Sequence, residues 1–276
     1  MIIIKDLKFG YAKKPLFQEL KLNLKPGIYG LLGKNGAGKS SLLKLMAGLL
    51  YPQGGECFVL DSRPRDRRPA LLEEIFLIGE EFFLPPLPMK EYIRLYSPFY
   101  PRFDREFLEH ALEEWELPRE GILTKMSYGQ QKKFLLAFGL AAETKILLLD
   151  EPTNGLDIPS KTQFRRLLAG HWAGNRCILI STHQVKDVEQ LIERALIVDR
   201  GRIIFNHTLQ ESAGVLKTRL SGEDPGEGVL YREKTLGGWA SLEKASGGPE
   251  PGLDLELLFN GVLSAPEKFN ALFEEA

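Results

Sequence analysis

Two stretches of this chain combine residue types in spacings that chemistry uses. Gly33-Lys34-Asn35-Gly36-Ala37-Gly38-Lys39-Ser40 fits the spacing G-x-x-x-x-G-K-[ST]. Glycines at these positions let successive backbone N–H groups turn inward around phosphate oxygens. A helix starting at the end of the loop adds the partial positive charge of its N-terminus. Lys39 then reaches the β- and γ-phosphates of a nucleotide, and the Ser40 hydroxyl meets Mg²⁺. The candidate nucleotide contacts are therefore Gly33, Asn35, Gly36, Ala37, Gly38, Lys39, Ser40 and the adjoining Ser41. The second stretch, Leu147-Leu148-Leu149-Asp150-Glu151, puts two acids at the end of an apolar run. Buried carboxylates are costly without a partner. A Mg²⁺ ion supplies one for Asp150, and Glu151 is then placed to polarise an attacking water.

These residues need elements that hold them. Ile28-Tyr29-Gly30-Leu31-Leu32 reads as a short strand feeding the glycine loop, and Leu42, Leu43, Leu45, Met46 and Leu49 follow at helical spacing. Pro52 and Gly54-Gly55 stop that helix before a strand over Glu56 to Leu60. Leu20, Leu22 and Leu24 alternate as a half-buried strand does, and Phe76-Leu77-Ile78 is another strand candidate. Met89 to about Leu117 reads as helical, with Asp104 as a cap and Pro118 as a stop. Ser127 caps a helix expected to run to about Glu143, and Pro159 fits the first turn of another. Ile146–Leu149, Cys177–Ile180 and Ala195–Val198 are all-apolar runs, as strands covered on both faces require. Strands alternating with helices predict an α/β domain with a mostly parallel sheet. Beyond about Asn206 glycine and proline rise, as at Gly222, Pro225, Gly247, Gly248, Pro249 and Pro251. A small strand-rich appendage is expected there, with strand pieces such as Val229-Leu230-Tyr231 and a terminal helix over Leu253 to Leu263.

Composition narrows the classes. The chain has 276 residues, with 36 Lys+Arg against 37 Asp+Glu, a formal net charge of −1. That balance lacks the basic excess of nucleic-acid binders, so no nucleic-acid partner is expected. With 43% hydrophobic and 26% charged residues it is neither disordered nor collagen-like. No run approaches the roughly 18–20 apolar residues that span a bilayer. Cys57 and Cys177 are far apart and in no CxxC pair, which argues against a disulfide framework or a zinc site and for a cytoplasmic chain. Cys177 reads as a small core residue.

Further motifs carry a specific resemblance. Met126-Ser127-Tyr128-Gly129-Gln130-Gln131 looks like the L-S-G-G-Q signature of ATP-binding cassette (ABC) ATPases, and it stands between the glycine loop and the Asp150-Glu151 run. Asn154-Gly155-Leu156-Asp157 resembles that family's D-loop, and Ser181-Thr182-His183 its switch-histidine loop. Tyr11 sits where the family keeps an aromatic that stacks on adenine. The resemblance covers about residues 1–205. It implies a P-loop NTPase core with a mostly parallel sheet, an antiparallel β subdomain, a helical signature subdomain over about residues 85–143, and a small C-terminal strand-rich extension over 206–276.

The resemblance also implies function. Two cassettes, a homodimer or a pair with a like subunit, would sandwich two ATP molecules head to tail. Lys39 and Ser40 of one would face Ser127, Gly129 and Gln130 of the other, with Asp157 at the interface. Glu151 would be the general base, His183 would contact the γ-phosphate, and Lys39 completes the catalytic set. Ser40, Asp150 and Glu80 are the candidate Mg²⁺ contacts. Two positions depart from the family pattern: Glu80 stands where glutamine is usual, and Tyr128 replaces the first glycine of the signature pair. A transporter role requires separate transmembrane subunits, which would hold the chain on the inner face of the cell membrane. Their expected docking surface lies near Glu80 and the Met89–Leu117 helices, where Tyr92, Tyr96, Phe99, Tyr100 and Phe103 cluster. Phe99-Tyr100-Pro101-x-Phe103-Asp104 with Lys132-Lys133 looks like exporter-type subunits. The alternative is a soluble ABC ATPase acting on a translation, DNA or cofactor-assembly complex.

Overall fold

A computed structural model describes residues 1–12, 14–245 and 252–274. Its centre is a six-stranded sheet in the order β5-β6-β7-β3-β8-β9, formed by Ile75–Ile78, Ile146–Asp150, Cys177–Thr182, Gly27–Leu32, Arg194–Asp199 and Arg202–Thr208. The first five strands are parallel, and β9 runs antiparallel to β8 at one edge. The all-apolar runs divide by parity. Ile28, Leu32, Leu147, Leu149, Ile178 and Ile180 enter one hydrophobic cluster, and Tyr29, Leu31, Ile146, Leu148, Cys177 and Leu179 enter the other. Both faces of the sheet are covered, so no polar alternation is needed.

A three-stranded antiparallel sheet in the order β2-β1-β4 (Lys14–Leu24, Ile2–Tyr11, Gly54–Val59) packs on one face with α1 (Lys39–Met46). β1 has no counterpart among the expected strands, and β2 starts earlier than the Leu20–Leu24 alternation indicates. Register shifts between Ile4 and Gly10 break the alternation that would have revealed them. After α1 the chain turns through Gly48 at φ 68°, which leaves Leu49 exposed rather than on the helix. A one-turn helix, α2 (Pro69–Leu72), precedes β5.

The other face carries the helices. The helical span expected from Met89 to Leu117 is two helices, α3 (Met89–Tyr96) and α4 (Arg105–Glu114), separated by a 3-10 turn at Ser97–Phe99. Asp104 caps α4, accepting from the Phe107 N–H at 2.9 Å. α5 (Tyr128–Ala141) and α6 (Ile158–Gly170) complete the layer.

Past β9 come α7 (Leu209–Val215) and a second antiparallel sheet, β10-β12-β11 (Leu216–Ser221, Gly238–Lys244, Tyr231–Thr235). Two helices follow, α8 (Leu255–Ser264) and α9 (Pro266–Glu274); the second was not foreseen. The 205/206 cut falls inside β9. Leu258, Val262 and Phe269 share a hydrophobic cluster with Ile28 and Ile197, so the tail is packed into the main core. Gly247, Gly248, Pro249 and Pro251 lie outside the described residues. Among the described residues no helix is long and apolar enough to cross a membrane. Cys57 and Cys177 are buried and unpaired, and burial pushes both thiols up to about 12.

Candidate active site

The glycine loop joins β3 to α1 at the carboxyl ends of the parallel strands, the edge where open α/β sheets bind ligands. Gly38 caps α1 at φ 110°, and a Cβ there would come within 2.9 Å of the Phe17 ring, so glycine is required twice over. Asn35, Gly36, Gly38, Lys39, Ser40 and Ser41 line one open cleft with Tyr11, Glu80 and Glu151. Lys39 is buried; its Nζ donates to the Gly33 carbonyl at 2.7 Å and lies 3.7 Å from Glu151 Oε1. Burial pushes its pKa down, and the Glu151, Asp150 and Glu80 carboxylates push back.

Asp150 ends β6 opposite Ser181 on β7, and the Ser181 hydroxyl donates to the Asp150 carboxylate. The Glu151 N–H donates to the Ser181 carbonyl at 3.1 Å. This pairing sets Glu151 and His183 at the ends of adjacent strands, with His183 Nδ1 2.9 Å from Glu151 Oε1. A carboxylate only accepts, so Nδ1 carries the proton. Glu151 is 4% exposed, yet its Oε2 has no hydrogen-bond partner. A buried acceptor left open in this way is unusual and fits a group brought by a ligand. No group of three His, Cys, Asp or Glu side chains able to hold a metal occurs among the described residues. The donors here, a serine hydroxyl and a single strand-end aspartate beside a phosphate cradle, fit Mg²⁺ that completes its shell with phosphate and water oxygens.

Tyr11 borders the cleft with its hydroxyl 3.0 Å from Ser41 Oγ, its ring edge-on to Phe9 and half its surface exposed. Glu80 also borders it, and Glu80 Oε1 accepts from Asn154 Nδ2 at 3.3 Å. Tyr128 opens α5 with helical backbone, so its replacement of glycine carries no left-handed strain. Its hydroxyl donates to the Glu80 carbonyl at 3.0 Å and its ring stacks on Phe82 at 5.2 Å. A Cβ on Gly155 would come within 2.7 Å of that ring.

Ser127 and Gln130 form a capping box. Ser127 Oγ accepts from the Gln130 N–H at 3.3 Å, and Gln130 Oε1 accepts from the Ser127 N–H at 3.0 Å. Asp157 caps α6 by accepting from the Ser160 N–H at 2.9 Å, and its hydrogen bonds with Ser160 hold its carboxyl below the usual range. Ser127, Gly129, Gln130 and Asp157 do not line the cleft that Lys39 and Ser40 line. One chain thus keeps two groups of candidate residues apart.

Sequence reasoning singled out Lys132 only as part of an exporter-type pattern and missed that it reaches this centre. Lys132 is fully buried, its Nζ donates to the Glu151 carbonyl at 3.1 Å, and it lies over the Phe82 ring at 5.7 Å. Burial pushes its pKa down, and Asp150, Glu80 and Glu151 push back. The available signal was helical spacing: Lys132 falls one turn after Tyr128, on the same face.

Residues 17–154 match the family described as ABC transporter. The chain is 29% identical over 238 residues to the bacitracin transport ATP-binding protein BcrA of Bacillus licheniformis, covering 83% of this chain and 77% of that protein. It is 31% identical over 213 residues to the fluoroquinolones export ATP-binding protein MT2762 of Mycobacterium tuberculosis, covering 74% of this chain and 69% of that protein. A solved dimeric ATP-binding cassette in a post-hydrolysis state, bound to ADP and Pi, has the same fold: TM-score 0.66, 22% identity, 76% of this chain and 99% of that one. The glycine loop, the acidic strand end and the matched span agree, and the chain belongs to the ABC transporter family as one of its ATP-hydrolysing cassettes.

Proposed function

We propose that this cassette powers an exporter-type transporter by hydrolysing ATP at a site completed by a second cassette. The observation that carries the mechanism is Glu151, held at Oε1 by His183 and open at Oε2 beside the cleft of Lys39 and Ser40. Glu151 Oε2 accepts a proton from water as the water oxygen attacks the γ-phosphorus. The bond from that phosphorus to the β–γ bridging oxygen breaks, and ADP leaves with the electron pair. Backbone N–H groups of the loop from Gly33 to Gly38 and the Lys39 ammonium, moved from the Gly33 carbonyl onto phosphate, balance the negative charge. Tyr11 stacks on the adenine. Ser40 and Asp150, with Glu80 beside them, would hold Mg²⁺, and the ion would supply charge neutralisation to the phosphates.

The second cassette, a copy or a like subunit, contributes Ser127, Gly129 and Gln130 at the γ-phosphate and Asp157 at the seam. Support for this reading is that these residues lie outside the cleft of their own chain, and that the solved cassette of the same fold is dimeric. Membrane subunits dock on an aromatic groove lined by Phe82, Phe83, Tyr92, Tyr96 and Tyr100, beside the Glu80 loop, which holds the cassette at the inner face of the membrane. Phe83 is 96% exposed there, and Phe99 is 65% exposed nearby. Phe103 turns inward instead and packs on Phe138 at 4.8 Å. The BcrA and MT2762 names supply the transport and export reading.

The test is Glu151→Gln. Turnover is expected to fall about 10²- to 10⁴-fold with ATP binding kept and a stable ATP-bound dimer on gel filtration. Turnover near the wild-type rate would remove Glu151 from the mechanism. Purification of the tagged chain in mild detergent, expected to recover a multi-span membrane protein in fixed ratio, tests the transporter assignment; recovery of ribosomes or a soluble complex instead would overturn it.

A further inference from the structure

Glu151 sits at φ 46°, a left-handed conformation that is strained for a non-glycine residue and persists only where neighbours over-determine it. Ser181 holds its N–H and His183 its Oε1. The third support comes from α5, where Lys132 Nζ donates to the Glu151 carbonyl at 3.1 Å. Lysines are almost never fully buried unless paired. Lys132 is 0% exposed, and no carboxylate oxygen lies within ion-pair distance of its ammonium among the described residues. A methionine, unbranched and one atom shorter, would fill most of that space without the desolvation cost, so packing alone does not account for the charge. What the ammonium does hold is the peptide that follows the hydrolytic carboxylate. One turn earlier on the same face, Tyr128 holds the Glu80 carbonyl, and both side chains meet Phe82. The inner face of α5 therefore braces two of the segments that border the cleft.

We infer that Lys132 is a positioning residue for hydrolysis: its ammonium fixes the Glu151 peptide and thereby aims the Glu151 carboxylate into the cleft. This rests on the reading of Glu151 as the general base. Lys132 touches neither nucleotide nor water in this scheme and acts through Glu151.

The test uses the full chain. Lys132→Met keeps an unbranched apolar stem, one atom shorter, and removes both donor and charge. The expected result is a kcat lower by roughly 10- to 100-fold. The KM for ATP and the affinity for a fluorescent ATP analogue stay within about threefold, because ground-state binding is untouched. Lys132→Gln keeps an N–H donor without the charge, one bond shorter, and is expected to recover part of the loss, with kcat at least about threefold above the Met variant. A Met variant with wild-type kcat overturns the proposal. So does a Met variant whose kcat and affinity fall together, or a Gln variant as slow as the Met variant. Glu151→Gln run alongside separates the two readings. If it turns over normally, the general-base assignment fails whatever Lys132 does. If it is inactive while Lys132→Met is not, only the positioning role fails.

Discussion

The glycine-loop cleft and the start of α5, proposed as the two halves of one site, are built in opposite ways. In the cleft, charge is buried and left incomplete: Lys39 is bonded to a main-chain carbonyl, and a Glu151 oxygen has no partner. At the start of α5 the polar groups are satisfied from within: Ser127 and Gln130 bond each other's N–H groups, Asp157 caps α6, and Tyr128 is bonded to Glu80. The difference teaches where ligand binding acts. A site with unmet polar groups gains most from a ligand and is least settled without one. A self-satisfied helix start keeps its shape on its own, and in the proposed scheme it would meet a second cassette at little ordering cost.

That contrast can be broken first at Lys39. Lys39→Ala should weaken ATP affinity about 10- to 100-fold, since it removes a charge-assisted contact to phosphate; equal affinity in a fluorescent-nucleotide titration would place the phosphates elsewhere. Ser127→Ala probes the other half. It should lower unfolding stability by about 1 kcal/mol through loss of the cap, as read from urea midpoints. ATP affinity at concentrations where single chains dominate should not change. A fall in that affinity would show that the two halves are not separate within one chain.

The smallest effect lies away from both. Arg102 bonds the Glu74 carboxylate and holds its pKa below the usual glutamate value. A lowered folded-state pKa stabilises the fold above the unfolded pKa, and that contribution is lost as pH falls through the folded value. Urea midpoints should therefore decline below the ordinary glutamate range, and Arg102→Gln should flatten part of that decline. An unchanged slope would mean that the pair is screened by solvent.

What could be read from the sequence was what local chemistry writes. The glycine loop, the Asp150-Glu151 strand end and the caps at Asp104 and Ser127 each lie within a few residues, and the parity of the apolar runs follows from a sheet covered twice. Longer-range features were hidden. β1 was obscured because its register shifts disturb the alternation. The split between α3 and α4 was signalled by Pro98 and Pro101, which the helical pattern around them outweighed. β9 runs through position 205 because pairing with β8 continues to Thr208 opposite Arg194. The burial of Lys132 depends on a carbonyl nineteen residues away, and no window around Lys132 contains it.

The two native cysteines lend this molecule a practical property. Thiol reagents attack the thiolate, and the Cys57 and Cys177 thiols are buried and pushed up to about 12. Near neutral pH burial therefore slows maleimide attack on both in the folded chain. A cysteine added at exposed Ile158, beside Asp157, would react fastest, and a dye there would report whether two cassettes meet as proposed in an otherwise native background.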